Sequence, residues 1–112
     1  VFNLEYNDMD FLFTGDCEEP NEIEMTSSYK LDDIDFLKVA HHGSSSSSTD
    51  DFIKDSSPSI AAISCGYKNQ YGHPHKSTLY TLYGAKTLRT DINGDLVFYS
   101  DGYKIFTTKK YK

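Results

Sequence analysis

Three short segments of the chain carry residue types that can bind metal ions or transfer protons. They are the turn at Asp16, the histidine pair His41-His42, and a His-Pro-His segment at 73–75. Carboxylate and imidazole groups together suit a divalent cation such as zinc or manganese. A histidine can also protonate a leaving group. The residue types therefore indicate metal-assisted or acid–base chemistry, provided that the fold brings the three segments together.

The first two segments also have ordinary structural explanations. A strand followed by Gly15 could present the Asp16 carboxylate at the edge of a sheet, but a turn aspartate often bonds its own backbone. If the extended backbone continues through His41 and His42, their side chains point to opposite faces. One ring could then face a metal while the other packs or supports it. The alternative is a pair of half-buried histidines that bond backbone groups.

The third segment lies just before a helical pattern. Pro74 suits the first helical position, which makes His73 the predicted capping residue. The first turn of a helix offers free N–H groups to an anion, so His73 could contact a phosphate or protonate a leaving group. Surface histidines in a rigid turn are the alternative. Tyr67 and Tyr71 flank Asn69 in the preceding loop, where a tyrosine ring could stack on a substrate.

Apolar periodicity and turn signals predict the elements that position these segments. Strands are expected at 1–6, 9–14, 35–40, 60–64, 87–90, 95–100 and 103–108. Helices are expected from about Pro20 to 29, at 51–54 and at 76–83, and the serine run at 44–48 is expected to be a mobile loop. Asn-Asp at 7–8, Asn-Gly at 93–94 and Asp-Gly at 101–102 predict hairpin turns. This order of elements predicts an α/β or α+β fold.

Each candidate segment follows a predicted strand. Because ligands of open α/β sheets bind just beyond the carboxyl ends of the strands, the three segments are expected to share one site. Neither Asp16 nor a single histidine would by itself indicate a functional site. Their common position after successive strands predicts a functional site at this edge of the sheet.

Composition limits the classes of function. Seventeen acidic against eleven basic residues give a net charge of −6, which excludes a broad basic face for nucleic acid. No apolar run approaches the roughly 18 residues of a membrane span. The two cysteines, Cys17 and Cys65, are too few for a disulfide framework and are expected to be free thiols.

Four motifs, taken together, resemble a known family. They are FLFTGD at 11–16, LKVAHHGS at 37–44, NQYGHPH at 69–75, and LRTD at 88–91 followed by Gly94. In this order they are similar to the C-terminal half of a metallo-β-lactamase-fold domain of the ComEC type. That is the hydrolase-like domain of DNA-internalisation competence proteins and of their stand-alone relatives. The resemblance covers nearly all of residues 1–112.

The resemblance implies half of an αβ/βα sandwich, a mixed sheet with helices on one face, and a site for two divalent ions, zinc or manganese. Asp16 matches the carboxylate that bridges the two metals. His42 is favoured as the last metal ligand, and His41 would then contact substrate or support the site. His73, with Asn69 and His75, matches the loop that borders the substrate. The implied reaction is hydrolysis of a phosphodiester, such as DNA, with His73 as general acid.

One part of the family pattern has no counterpart. The His-x-His-x-Asp-His motif, which supplies most of the metal ligands in that family, is absent from residues 1–112. The sequence also begins with a strand-like pattern of residues. We therefore expect a separate N-terminal half to complete the domain, and we expect this chain alone to bind metal weakly and to be inactive. As an alternative, a second copy of the chain could cover the exposed face of the sheet by self-association. Both a free cytoplasmic protein and a soluble appendage of a bacterial membrane protein fit the resemblance.

Two other functions remain open from the sequence. The chain could be a structural or assembly half-domain whose metal ligands are vestigial. It could also keep the fold and hydrolyse a lactone or a choline phosphoester. Substrate choice in such a domain depends on loops and on the half that residues 1–112 do not contain.

Overall fold

The structure is a computed structural model, and it describes residues 1–109. Its strands are β1 (Phe2–Tyr6), β2 (Met9–Phe13), β3 (Phe36–Lys38), β4 (Ile60–Ile63), β5 (Lys86–Arg89), β6 (Phe98–Ser100) and β7 (Ile105–Thr107). Its helices are α1 (Glu19–Ser28), α2 (Asp50–Ser56), α3 (Lys76–Thr81) and α4 (Thr90–Asn93), with a 3-10 turn at Ala40–Gly43. Within these residues, none of the helices has the length and apolar character that crossing a bilayer requires.

The main sheet has five strands in the order β1-β2-β3-β4-β5. β1 pairs antiparallel with β2, and β2 to β5 run parallel to one another. Parallel neighbours need crossover connections, which α1, α2 and α3 provide in turn. The predicted α/β fold with a mixed sheet is confirmed. As a result, the carboxyl ends of β2, β3, β4 and β5 lie along one edge.

Different elements pack against the two faces of the sheet. On one face, Leu12, Leu37 and Ala61 lie side by side and pack with Met25 and Phe52 from the helices. The other face carries a second apolar cluster, whose members are Phe36, Ile60 and Ala62 with Phe11, Leu96, Phe98 and Ile105 packed against them. The β6–β7 hairpin covers this second face in part. α1, α2 and α3 thus pack on the same face of the sheet, as the resemblance implies.

The hairpin predicted at Asn93-Gly94 is wrong. β5 ends at Arg89, and the next four residues form α4 with Gly94 as its C-cap. The Asn93 side chain accepts a hydrogen bond from the Arg89 amide at 2.9 Å, and the Gly94 amide donates to the Thr90 carbonyl at 3.1 Å. These local bonds close a helical turn where a strand pair would otherwise form. The hairpins predicted at 7–8 and 101–102 are confirmed.

The serine run, expected to be a mobile loop, is bonded into the protein. The Ser47 hydroxyl donates to the Cys17 carbonyl at 2.6 Å. The Ser48 and Thr49 amides donate to the two carboxylate oxygens of Glu22 at 2.6 and 3.0 Å, and Glu22 is only 1% exposed. Low complexity in sequence therefore does not mean disorder here, because the small side chains let the backbone approach α1 closely.

We expect Glu22→Ala to destabilise the fold by about 3 kcal/mol, since it leaves two inward-facing backbone donors without an acceptor. Urea unfolding measures the change. Glu24→Ala is the matched control, because Glu24 is an exposed residue of the same helix. Equal stability of the two variants would show that the serine run does not depend on Glu22.

Candidate functional site

The three candidate segments meet at the carboxyl edge of the sheet. The His41 amide donates to the Gly15 carbonyl at 2.8 Å, which places the histidine pair beside the turn of Asp16. The His75 amide donates to the Gly43 carbonyl at 3.0 Å, which places the third segment beside the pair. The parallel order of β2, β3 and β4 is the reason, because it aligns the loops that follow these strands.

The four imidazole rings form one cluster. His73 lies at its centre, with ring centroids 5.8 Å from His41, 6.2 Å from His42 and 4.9 Å from His75. Desolvation, followed by the neighbouring rings, lowers the pKa of His73. His73 is therefore held in its neutral form more strongly than a free histidine is. The Tyr71 ring stacks on it at 5.6 Å.

The histidine pair does not continue the extended strand, so that expectation is wrong. His41 and His42 have φ values of 50° and 57°, in the left-handed region, within the 3-10 turn. Their rings lie 6.4 Å apart, and both contact His73. The bond from the His41 amide to the Gly15 carbonyl replaces strand pairing and turns the chain at this point. Both rings thus belong to the same cluster rather than to opposite faces.

A hydrogen bond to the backbone fixes the tautomer of the His42 ring. Its Nδ1 lies 2.7 Å from the Ser64 carbonyl. A carbonyl only accepts, so Nδ1 carries the proton and the lone pair of Nε2 is left for another partner. His41 has a weaker contact, with its Nδ1 3.4 Å from the Ser46 hydroxyl. This difference favours His42 over His41 as a ligand.

The described part of the chain does not complete a metal site. Asp16 is exposed on the same edge as His42, and the two residue types suit a divalent ion. However, no group of three or more histidine, cysteine, aspartate or glutamate side chains within residues 1–109 could hold a metal. The donor set therefore fits part of a metal centre, and further ligands are needed to complete it.

The His75 ring is engaged on both sides. The Ser45 amide donates to Nδ1 at 2.9 Å, so the proton lies on Nε2, which is 3.2 Å from the Tyr71 carbonyl. His75 is also the N-cap of α3, which begins at Lys76. The prediction that Pro74 starts this helix and His73 caps it is wrong, because the ring of His75 ties the backbone to the serine run one residue later. The role of His75 as a substrate contact stays a prediction.

Asn69 shapes the loop in front of the cluster. Its amide group donates to the Gly66 and His73 carbonyls at 2.9 and 2.6 Å. Its carbonyl oxygen accepts from the Tyr71 and His73 amides at 3.1 and 2.9 Å. These four bonds hold the backbone on either side of Tyr71. The predicted contact of Asn69 with substrate is untested, and its visible bonds all lie within the loop.

A second network, which the reasoning from residue types missed, supports the loop after β4. The Thr90 hydroxyl accepts from the Cys65 amide and donates to the Cys65 carbonyl, both at 2.9 Å. Arg89 pairs with Asp91 through two bonds of 3.0 and 2.7 Å, which lower the pKa of Asp91. Burial raises the pKa of Cys65, with the Asp91 carboxylate adding to the effect. Both cysteines are free, as predicted.

Lys38 was also missed, although a lysine within an apolar strand was a visible signal. It is the last residue of β3, and its ammonium donates to the Val39 carbonyl at 3.2 Å. Burial lowers the pKa of Lys38, while the negative charge of Asp16 opposes that shift. A positive charge thus lies among the strand ends of an otherwise acidic chain.

These features define an α/β domain with a histidine-lined edge and two candidate metal ligands. The chain is 38% identical over 100 residues to ComE operon protein 3 of Bacillus subtilis, covering 88% of this chain and 13% of that protein. It is 37% identical over 90 residues to Competence protein ComA of Neisseria gonorrhoeae, covering 78% of this chain and 13% of that protein.

A third relative is Recombination protein 2 of Haemophilus influenzae, 37% identical over 76 residues, with 68% of this chain and 9% of that protein covered. No family model and no solved structure matches the chain. The three relatives establish a relation to competence proteins of the ComEC type. The chain spans about one eighth of the length of the first two relatives, at 13% each.

Proposed function

We propose that the chain is the C-terminal part of a metallo-β-lactamase-fold hydrolase domain, and that this domain cleaves phosphodiester bonds during DNA uptake. The observation that carries the proposal is the His42 geometry, with Nδ1–H bonded to the Ser64 carbonyl and Nε2 free, on the same edge as Asp16. The relation to competence proteins supports DNA as the substrate. Because the net charge is −6, the surface as a whole does not attract a polyanion, and binding would have to occur at a local metal centre.

Asp16 and His42 would hold the metal ions, zinc or manganese. Bound metal supplies an activated water and neutralises charge that develops on the phosphate. Ser64 keeps His42 in the tautomer that leaves Nε2 free. His73 is the proposed proton donor to the leaving group. Its lowered pKa keeps it neutral in the free protein, and a phosphate anion beside the ring would favour the charged form.

The exposed part of the sheet supports a second half-domain as partner. Phe2, Leu4 and Tyr6 of β1 are exposed, and Phe2 pairs in register with Phe13, whose ring is also exposed. The Phe2 and Phe13 rings contact each other at 5.8 Å. An apolar strip of this kind is typical of a surface that another element covers. The covering half would also bring the metal ligands that residues 1–109 do not provide, and self-association through this strip is the competing arrangement.

A non-catalytic half-domain is the second candidate function. It is favoured by the incomplete metal site within residues 1–109. In that case the histidine cluster would serve only to join the loops at the edge of the sheet. The two functions differ in whether metal binding depends on His42.

We expect His42→Ala to weaken manganese binding by more than the ~10- to 100-fold that loss of an outer-shell partner costs. His41→Ala is the matched control and should lower the affinity by much less than His42→Ala does. Calorimetry with Mn²⁺ measures binding, and hydrolysis of bis(p-nitrophenyl) phosphate measures activity, in the protein that joins this chain to its other half. Equal losses in both variants would reject the assignment of His42. A wild-type protein without metal-dependent hydrolysis would support the non-catalytic function.

A further inference from the structure

Lys38 is the last residue of β3, the strand that leads into the histidine pair of the candidate site. Burial lowers the pKa of Lys38, and the carboxylate of Asp16, which follows β2, opposes that shift. The side chain lines an open cavity of about 400 Å³, together with Ser64, Thr90 and Asp95. The cavity lies on the face of the sheet that carries the β6–β7 hairpin, through Phe36 and Phe98. The side chain of Lys38 is therefore partly buried, at the end of β3 that leads to the candidate site.

This charge has no close counter-ion among residues 1–109. Lys38 takes part in neither of the ion pairs Lys30–Asp32 and Arg89–Asp91, and no carboxylate of residues 1–109 is paired with its ammonium within 4.0 Å. Its hydrogen bond to the Val39 carbonyl uses one of the three N–H donors that an ammonium has. A partly buried cation is costly unless it is paired. The unused donors leave room for an anionic partner.

Resting on the proposed function, we propose that Lys38 binds a non-bridging oxygen of the substrate phosphate. The chemical reason is the chain's charge balance, since an acidic domain needs a local cation to hold a phosphodiester. Lysine serves this purpose as a compact point charge with several donors. The neighbouring Asp16 carboxylate would hold metal beside the same phosphate, so the anion would be contacted from two sides. Lys38 then acts on substrate binding and on charge that develops at the phosphate, and not on metal binding.

The test replaces Lys38 with methionine and with arginine in the protein that joins this chain to its other half. A hydrogen bond to a charged group contributes about 1.5–3 kcal/mol, so kcat/KM for bis(p-nitrophenyl) phosphate should fall ~10- to 100-fold in Lys38→Met. Lys38→Arg should recover part of that loss, because it keeps the charge. Mn²⁺ affinity by calorimetry should not change in either variant. Lys54→Met is the matched control, since Lys54 is an exposed residue of α2 on the helical side.

Three outcomes overturn the inference. Unchanged kcat/KM in Lys38→Met would show that the ammonium does not contact the substrate. A loss of Mn²⁺ affinity in the same variant would show that Lys38 acts through the metal ligands. Equal kinetic losses in Lys38→Met and Lys38→Arg, with metal binding retained, would indicate a packing role. Absence of metal-dependent hydrolysis in the wild-type protein would instead reject the proposed function, and the assay of the unmutated protein separates that failure from the others.

Discussion

Asp16→Ala is expected to remove metal binding and hydrolysis together in the protein that contains this chain and its other half. In the proposed function Asp16 would hold metal, so its loss would take away the activated water and the charge neutralisation that the metal supplies. Several kcal/mol of stabilisation of the transition state would disappear, which corresponds to ~10³-fold or more in kcat/KM. Hydrolysis of bis(p-nitrophenyl) phosphate in the presence of Mn²⁺ measures the effect.

Two comparisons make this result specific. Asp51→Ala removes an exposed carboxylate from the first turn of α2 and should change neither property. The isolated 112-residue chain should bind Mn²⁺ weakly, because residues 1–109 hold no group of three ligands. An active Asp16→Ala variant would show that the metal centre lies elsewhere. Tight binding of two ions by the isolated chain would contradict the need for a second half.

Gly43→Ala is expected to give the largest loss of stability. Gly43 has φ of +85°, and an added Cβ would lie 2.5 Å from the Cβ and 3.0 Å from the Cα of Pro74. The strained φ costs about 1–2 kcal/mol and the overlap about 1–3 kcal/mol, so we expect a total of about 2–5 kcal/mol. Urea unfolding measures the change. The cost should appear with altered contacts between His75 and Gly43, whose backbones are bonded at 3.0 Å.

Gly72→Ala separates the two causes. Gly72 has φ of +70°, but nothing lies within 4 Å of an added Cβ, so only the conformational cost of about 1–2 kcal/mol applies. If both variants lose the same stability, the contact between Gly43 and Pro74 is not a constraint. A larger loss in Gly43→Ala would show that the close approach of the two loops holds the histidine cluster together.

Helices and strands could be predicted from the sequence where an apolar pattern was bounded by a nearby turn or capping residue. Pro20 lies in the first turn of α1, and Thr49 caps α2 by accepting a bond from the Phe52 amide at 3.3 Å. The hairpin of β1 and β2 follows from alternation around Asn7. Each of these depends on interactions between residues that are close in sequence.

Other features depended on partners that are distant in sequence. The serine run is ordered because Glu22 accepts its amides, and nothing in five similar residues indicates such an acceptor. The hairpin predicted at Asn93-Gly94 gave way to α4, where the Thr90 side chain bonds Cys65 from another loop. His41 and His42 have positive φ values at the point where the His41 amide bonds the Gly15 carbonyl, which lies far away in the sequence. Local propensity does not contain these contacts.

For the site itself, residue types alone identified Asp16 and the histidine pair as candidates for metal chemistry, because few side chains can bind a divalent ion. Their order along the chain placed them after successive strands. Only the tertiary structure fixed the tautomer of His42, through the 2.7 Å contact with the Ser64 carbonyl. It alone placed the Lys38 charge among the strand ends. The physical reason is that ligand chemistry belongs to the residue, whereas the proton position of a ring and the neighbours of a charge are set by atoms that folding brings from elsewhere.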